Sequence, residues 1–247
     1  MGERITLMGC SIDNLSMEDT LHTIEGFIRD GRPHQHVVVN VDKLVKASRD
    51  PQLRQIINDC ALVNVDGMPV VWASRLLGKP LKERVAGVDL FEALMQRAAK
   101  MQWRVFLLGA KESVVSAVAA TYQGKYPDLV LAGYRNGYWT GEAEEAQVVE
   151  QIRAARPDLL FVAISSPKKE QFLGRYQAEM KVPFAMGVGG TFDVAIGHVR
   201  RAPVWMQRSG LEWFFRFLQE PGGMFRRYFI EDMAFVRLLI REWRTAR

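Results

Sequence analysis

An aspartate interrupts one of the most apolar stretches of the sequence. Asp66 ends the run "ALVNV" and is followed at once by Gly67 and by "MPVVWASRLL", which has a helix-like composition. A carboxylate at the end of an apolar strand loses part of its hydration, which costs free energy unless a partner compensates. Two interpretations stay open at this point: Asp66 caps the following helix, or it belongs to a chemical site.

Other polar residues and glycines follow the remaining apolar runs in the same way. Because any α/β fold uses Ser, Asp, Asn and Gly for turns and helix caps, a single residue of this kind indicates little. Together with the Asp66 loop they make five loops, and five such loops that converge on one edge of a sheet favour a ligand crevice. The residues concerned are Asn40, Asp42, Gly109, Lys111, Ser165, Ser166, Pro167, Gly189, Gly190, Thr191 and Asp193.

The glycines among them are suited to a phosphate or a sugar nucleotide approached by backbone amides. The segments "GVGGTF" and "LLGAKE" lack the full G-x-G-x-x-G pattern of dinucleotide enzymes, and no P-loop lysine motif is present. Two cysteines are too few for a disulfide framework and fit a reducing cytoplasm. The residues alone therefore predict a soluble α/β enzyme with a nucleotide-like crevice.

The elements that must position these residues alternate between strand-like and helix-like stretches. Short β-branched runs separated by helical patterns predict an α/β fold, a Rossmann-like, mostly parallel sheet with helices on both faces. No apolar run approaches the roughly 18 residues of a membrane span. The predicted strands are 36–41, 61–66, 103–109, 129–134, 158–164 and 183–189.

The last fifth of the chain differs in composition from the rest. Residues 199–247 contain ten arginines against five acids, and ten of the 25 aromatic residues, whereas residues 1–198 have balanced charges. We therefore predict two parts, an α/β body at 1–198 and a helical C-terminal appendage at 199–247.

Several segments resemble the WecG/TagA/CpsF family of glycosyltransferases from about residue 5 to about residue 230. The resemblance rests on "NVDGMPVVWASRLLGKPLKERVAGVDLFEAL", "VFLLGAKE", "RPDLLFVAISSPKKEQF" and "AMGVGGTFDVAIGHVRRAPVWMQRSGLEWFFRF". It implies an inverting enzyme that moves a sugar from a UDP-sugar to a polyprenyl-pyrophosphate-linked sugar at the inner membrane surface. It also implies that no metal ion or other cofactor is needed, and that the product feeds a cell-surface polysaccharide such as teichoic acid or exopolysaccharide.

The resemblance also assigns roles to individual residues. Asp66 matches the general base for the acceptor hydroxyl, and Arg84 matches an arginine suited to the diphosphate leaving group. The alternative for Arg84 is a surface ion pair with Glu83 or Asp89. The substrate-binding residues implied in the same way are Asn40, Gln171 and Asp193 for the pocket and sugar nucleotide, and Arg216 and Arg226 for the acceptor pyrophosphate.

Two positions depart from the family pattern. Val38 stands where many members have a threonine, and Gly223 replaces the first arginine of a tail motif whose second arginine is Arg226. Because the threonine's hydrogen bond is lost, the sequence leaves the donor open between N-acetylmannosamine, glucose and other hexoses. The oligomeric state is also left open.

The arginines and aromatic residues of the tail recur at helical spacing on opposite sides. This pattern predicts a helix that lies on anionic lipids at the inner face of the cell membrane. The alternative is a helix packed on the body through its apolar stripe. A nucleic-acid partner is not expected, because the body is neutral and carries no recognised nucleic-acid motif. The other function that stays open is a non-catalytic lipid- or polymer-binding module.

Overall fold

A six-stranded parallel sheet forms the centre of the protein. The computed structural model describes residues 3–226 and 232–245. The strands lie in the order β4-β3-β8-β7-β5-β6 and all pair in parallel, which confirms the predicted fold class. Their bounds are β3 His34–Val39, β4 Leu62–Val65, β5 Arg104–Gly109, β6 Val130–Arg135, β7 Leu159–Ala163 and β8 Phe184–Gly187.

A small antiparallel hairpin precedes the sheet and was not among the predicted strands. It consists of β1 Arg4–Leu7 and β2 Cys10–Asp13, with Leu7 opposite Cys10. The Asp13 carboxylate ties the hairpin to the sheet, because it accepts hydrogen bonds from Arg4 and from the Val63 amide. The hairpin thereby covers the β4 side of the fold.

Thirteen helices surround the sheets in the described part of the chain. Local sequence fixes several of their ends: Ser16 and Asp19 form a capping box, and Asp50 caps a helix that starts with Pro51. The helices are α1 Met17–Asp30, α2 Val41–Arg49, α3 Pro51–Asp59, α4 Met68–Leu76, α5 Gly87–Met101, α6 Glu112–Lys125, α7 Gly141–Ala155, α8 Lys168–Met180, α9 Thr191–Ala195, α10 Val204–Arg208, α11 Glu212–Gln219, α12 Pro221–Arg226 and α13 Met233–Thr245.

Strands β4, β5 and β7 of the sheet are buried on both faces, and successive side chains along each strand point to opposite faces. In β5, Val105 and Leu107 pack into the cluster with α1, α5 and α6, whereas Phe106 and Leu108 pack into the cluster with α7 and α8. Strands buried on both faces are expected to be continuously apolar. The sequence of β5 shows this pattern.

The last helix packs back onto the body. Phe235 of α13 is only 6 % exposed and joins the apolar cluster formed by the hairpin and α2–α4. The Glu242 carboxylate accepts a hydrogen bond from Lys79 Nζ at 3.3 Å. A truncation near residue 200 would therefore open this cluster, and single-residue variants test the tail more sharply. Within residues 3–226 and 232–245, no helix combines the length and hydropathy needed to cross a membrane.

Candidate active site

A crevice of about 550 Å³ opens at the carboxyl ends of β3 and β4. One wall comes from the body, through Asn40, Asp66 and Arg84. The opposite wall comes from the C-terminal helices, chiefly through Glu212 and Arg216 of α11. The site therefore lies where the α/β body meets the basic, aromatic part of the chain.

Asp66 lies at the turn between β4 and α4. Its amide N–H donates to Val39 O at 2.9 Å, which continues the β3–β4 pairing by one residue, and Gly67 then turns the chain with φ of 105°. Gly67 is the N-cap of α4, and in this fully described segment no side-chain hydrogen bond caps that end. The structure therefore does not support the interpretation of Asp66 as a side-chain cap of α4.

The surroundings of Asp66 make its carboxylate more basic. Its side chain is 37 % exposed, and that exposure is to the crevice. Burial of the carboxyl group by the surrounding protein raises its pKa above the ordinary aspartate value; the Arg84 charge opposes this rise and the Glu212 charge adds to it. A carboxylate with a raised pKa in a crevice is suited to accept a proton.

Arg84 is fixed beside this carboxylate. Its Nη1 lies 3.7 Å from Asp66 Oδ1 and donates a hydrogen bond of 2.7 Å to Glu212 Oε2. Its side chain is only 14 % exposed. The alternative ion pairs of Arg84 with Glu83 or Asp89 are not observed. Glu83 accepts a hydrogen bond from the Met17 amide, and Asp89 pairs with Arg201.

Known proteins similar to this chain share one activity class. A model of the WecG/TagA/CpsF glycosyl transferase family matches residues 5–247. An N-acetylglucosaminyldiphosphoundecaprenol N-acetyl-β-D-mannosaminyltransferase of Bacillus subtilis is 37 % identical over 74 % of this chain and 70 % of its own length. The enzyme of the same name from Bacillus spizizenii is 35 % identical over 75 % of this chain and 71 % of its own. The chain belongs to the WecG/TagA/CpsF glycosyltransferase family.

Asn40 and Arg216 lie in the crevice of this glycosyltransferase with Asp66 and Arg84. Asn40 also caps α2, because its Oδ1 accepts the Lys43 amide at 2.9 Å. The Arg216 guanidinium lies against the loop that follows β8, with Nη2 3.8 Å from the position that a Cβ on Gly190 would take. Four of the seven predicted site residues are thus brought together.

The other three predicted residues are placed differently. Asp193 lies on α9 next to Val194, which lines the crevice, and its own carboxylate is 3.8 Å from His198 Nδ1. Gln171 lines a separate cavity of about 780 Å³ between α3, α7 and α8, so the structure does not bring it to Asp66. Arg226 ends α12, but its side chain lies outside the described part of the chain, as do Tyr228 and Phe229.

A network of charged residues across the crevice was missed by the sequence analysis. Arg201 forms a two-pronged ion pair with Asp89, one contact being 3.0 Å, and donates to Gln207 Oε1 at 2.9 Å. Its Nε lies 3.7 Å from Glu212 Oε1. The segment "HVRRAPVWMQRSGLEW" contains three of these residues, but only the partners contributed by the body reveal their role in joining the two walls.

Large apolar side chains are exposed on α4 and in the C-terminal region, and three of them, Trp213, Met233 and Val236, line the crevice. Trp205 is 63 % and Leu218 61 % exposed, and both lie in the C-terminal region. Large exposed apolar residues that are contiguous mark interaction surfaces, and ten of these twelve lie within residues 204–240. The other members are Trp72, Leu76, Val204, Leu211, Trp213, Phe214, Phe225, Met233, Val236 and Ile240. Among the described residues, no cluster of three or more His, Cys, Asp or Glu side chains could hold a metal ion.

Proposed function

We propose that this glycosyltransferase moves a hexose or an N-acetylhexosamine from a UDP-sugar to a sugar linked to polyprenyl diphosphate. The observation that carries the proposal is an aspartate at a strand end whose carboxylate lies 3.7 Å from a fixed arginine, in a crevice whose second wall contains arginines and apolar side chains. The names of the two Bacillus relatives support the acceptor class, because both enzymes use N-acetylglucosaminyldiphosphoundecaprenol.

In the proposed reaction Asp66 takes the proton of the acceptor hydroxyl while the hydroxyl oxygen forms a bond to C1 of the donor sugar. The bond between C1 and the UDP oxygen breaks on the opposite face, so the anomeric centre inverts and UDP leaves with the electron pair. The raised pKa makes the Asp66 carboxylate a better proton acceptor than an ordinary aspartate. Arg84 would stabilise the negative charge on the leaving diphosphate.

The donor sugar is best identified by measuring UDP release with a panel of UDP-sugars. The panel pairs UDP-N-acetylmannosamine, UDP-N-acetylglucosamine and UDP-glucose with a short-chain polyprenyl-diphosphate-linked N-acetylglucosamine. We expect one donor to release UDP, and only when the acceptor is present. Binding of donor and acceptor without any UDP release would contradict the proposal and favour a non-catalytic binding module.

We expect the reaction to proceed without a metal ion. In this mechanism the Arg84 guanidinium supplies the positive charge that a divalent ion provides in other transferases. UDP release in EDTA should therefore stay within about twofold of the untreated rate. A strict requirement for added Mg²⁺ or Mn²⁺ would contradict this mechanism.

We also propose that the C-terminal region binds the inner face of the cell membrane. An acceptor anchored in lipid must reach the crevice from the membrane surface, and the exposed apolar side chains of Trp213, Met233 and Val236 line that crevice. Arg216 would meet the acceptor diphosphate, because a guanidinium can bind phosphate with two hydrogen bonds. The stripe of α13 that includes Phe235 packs on the body, whereas Val236 and Ile240 stay exposed and available to lipid.

Replacing Trp205 and Leu218 together by serine should weaken binding to anionic liposomes by about tenfold or more, because two large apolar side chains no longer enter the lipid. Co-sedimentation with liposomes measures this effect. Met101→Ser is the matched control, since Met101 is 58 % exposed but ends α5 before the amino end of β5. Equal loss of binding in the control, or none in the double variant, would contradict the proposed membrane surface.

A further inference from the structure

Three charged side chains are buried together where α2 and α8 begin. The side chains of Lys43, Lys169 and Glu170 are 7 %, 8 % and 2 % exposed. Glu170 Oε1 accepts a hydrogen bond of 2.7 Å from Lys43 Nζ and lies 3.2 Å from Lys169 Nζ. Two buried lysines thus share one carboxylate, and the cluster has a net charge of +1.

The surplus charge belongs to Lys169. Lys43 makes the shorter contact and by itself neutralises Glu170. Burial, and next the Lys43 charge, lower the pKa of Lys169 to about 8; the Lys46 charge adds to this and the Glu170 charge opposes it. Burial raises the pKa of Glu170, but Lys43 and Lys169 more than offset this and bring it to about 2, so the carboxylate stays ionised. A buried cation without its own counter-ion favours the binding of an anion.

The Lys169 side chain runs beneath a glycine-rich segment formed by Gly187, which ends β8, and residues 188–190 of the following loop. Its methylene carbons lie 2.8 and 2.9 Å from where a Cβ on Gly187 would be, so a larger residue at this position would collide with them. Its Nζ lies 3.9 Å from the corresponding position on Gly189, which has a φ of 56°. Arg216 approaches the same loop at Gly190, as described above. Lys169 therefore reaches a segment in which three of the four residues, Gly187, Gly189 and Gly190, have no side chain, and the Arg216 proposed for the acceptor borders the same segment.

Two unsatisfied polar atoms give an independent indication of a ligand. Glu170 Oε2 and Ser166 Oγ are buried, and neither has a hydrogen-bond partner among the described residues. A buried carboxylate oxygen without a donor is unfavourable, and a sugar hydroxyl is a suitable donor for it. The cluster thus combines a surplus cation with a free carboxylate oxygen, which matches a ligand that carries both phosphate and hydroxyl groups.

We infer that Lys169, supported by Lys43 and Glu170, binds the diphosphate of the donor nucleotide at the loop formed by residues 187–190. This inference rests on the proposed function. We assign this site to the donor rather than to the acceptor because the cluster belongs wholly to the body. It lies at the carboxyl ends of β3, β7 and β8, where ligands of such sheets bind. A diphosphate carries more than one negative charge, so Lys169 supplies the second cation that Arg84 alone does not provide.

The test measures by calorimetry how tightly UDP and uridine bind to the wild-type full chain and to the Lys169→Met variant. The variant should lose at least about tenfold in UDP affinity, because a charge-assisted hydrogen bond is lost, and should bind uridine as the wild type does. The wild-type affinity for UDP should fall as the pH rises above about 8, where Lys169 loses its proton, and the variant should lack this dependence. Lys168→Met is the matched control, because Lys168 is the exposed neighbour.

The variant should fold, because the remaining Lys43–Glu170 pair is neutral, and Lys169→Gln offers a second variant of similar length. UDP affinity of either folded variant within about twofold of wild type overturns the inference and leaves the proposed function standing. A wild-type chain that does not bind UDP at all overturns the proposed donor, and this inference with it. An equal loss of affinity for UDP and for uridine would show that Lys169 only shapes the pocket, and this result would also overturn the inference.

Discussion

Asp66→Asn is expected to lower turnover at least about a hundredfold, because it removes the proposed general base and leaves an amide that cannot accept the hydroxyl proton. UDP binding should persist, since the carboxylate acts on the acceptor and not on the nucleotide. The measurement is UDP release with the best donor of the panel, together with calorimetric UDP affinity. Full activity of the variant would exclude Asp66 as the base.

The folded state should tolerate this substitution. Burial already disfavours the charged form of Asp66, so a neutral side chain of the same shape removes an electrostatic cost. Arg84 keeps its shorter contact, to Glu212 at 2.7 Å. The melting temperature should therefore be unchanged or higher. Asp59→Asn is the matched control, because Asp59 is exposed at the end of α3 and should give wild-type turnover.

The pH profile gives a second readout of the same carboxylate. Asp66 must be ionised to accept a proton, so turnover is lost as the pH falls through its pKa. The acid limb of the profile is the pH range in which turnover falls as the pH is lowered. Because burial raises the pKa of Asp66, the midpoint of this limb should lie above the value of about 3.9 for an ordinary aspartate. An acid limb at or below that value would contradict the environment described for Asp66.

Arg84→Gln should reduce turnover about a hundredfold to a thousandfold, which is typical for loss of a fixed group that stabilises charge in the transition state. The same change removes the positive charge that lowers the Asp66 pKa, so the acid limb of the remaining activity should move to higher pH. Steady-state rates across pH measure both effects. The turnover of Arg84→Lys should lie between that of the wild type and that of Arg84→Gln, because a lysine keeps the charge but cannot form two parallel hydrogen bonds.

Arg153→Gln is the control for loss of one arginine, since Arg153 lies on α7 and forms an exposed ion pair with Glu150. Its turnover should equal that of the wild type. If Arg84→Gln kept wild-type turnover, the Arg84–Glu212 contact would have only the structural role of joining the two walls, and the proposed leaving-group role would be wrong.

The sheet could be predicted from the sequence because local residue patterns determine where its strands lie. A parallel strand buried on both faces needs a continuous apolar run, and β5 and β7 have one. The same logic places polar residues and glycines after the strands, so a crevice at their carboxyl edge could be predicted. The hairpin was missed because its two strands have only four residues each and are held by Asp13, a contact that no local pattern encodes.

The site was predicted only in part, and α8 shows why. Successive residues of a helix differ by about 100° in direction, so residues two positions apart face nearly opposite sides. Gln171 therefore lines a different cavity, whereas Lys169 of the same "SPKKEQF" segment lies under the glycine loop. The sequence identified this segment as part of the site, but the direction of each side chain depends on how α8 packs against the sheet.

The sequence by itself determined the parallel sheet, the family and the position of Asp66 at a strand end. Tertiary structure decided which charges meet there: Glu212 lies 128 residues from Arg84, and Arg201 lies 112 from Asp89. It also decided how α13 divides its apolar residues, with Phe235 in the core and Val236 and Ile240 exposed. Helical periodicity shows that a helix has an apolar side, but only the shape of the neighbouring surface fixes which part of that side is buried.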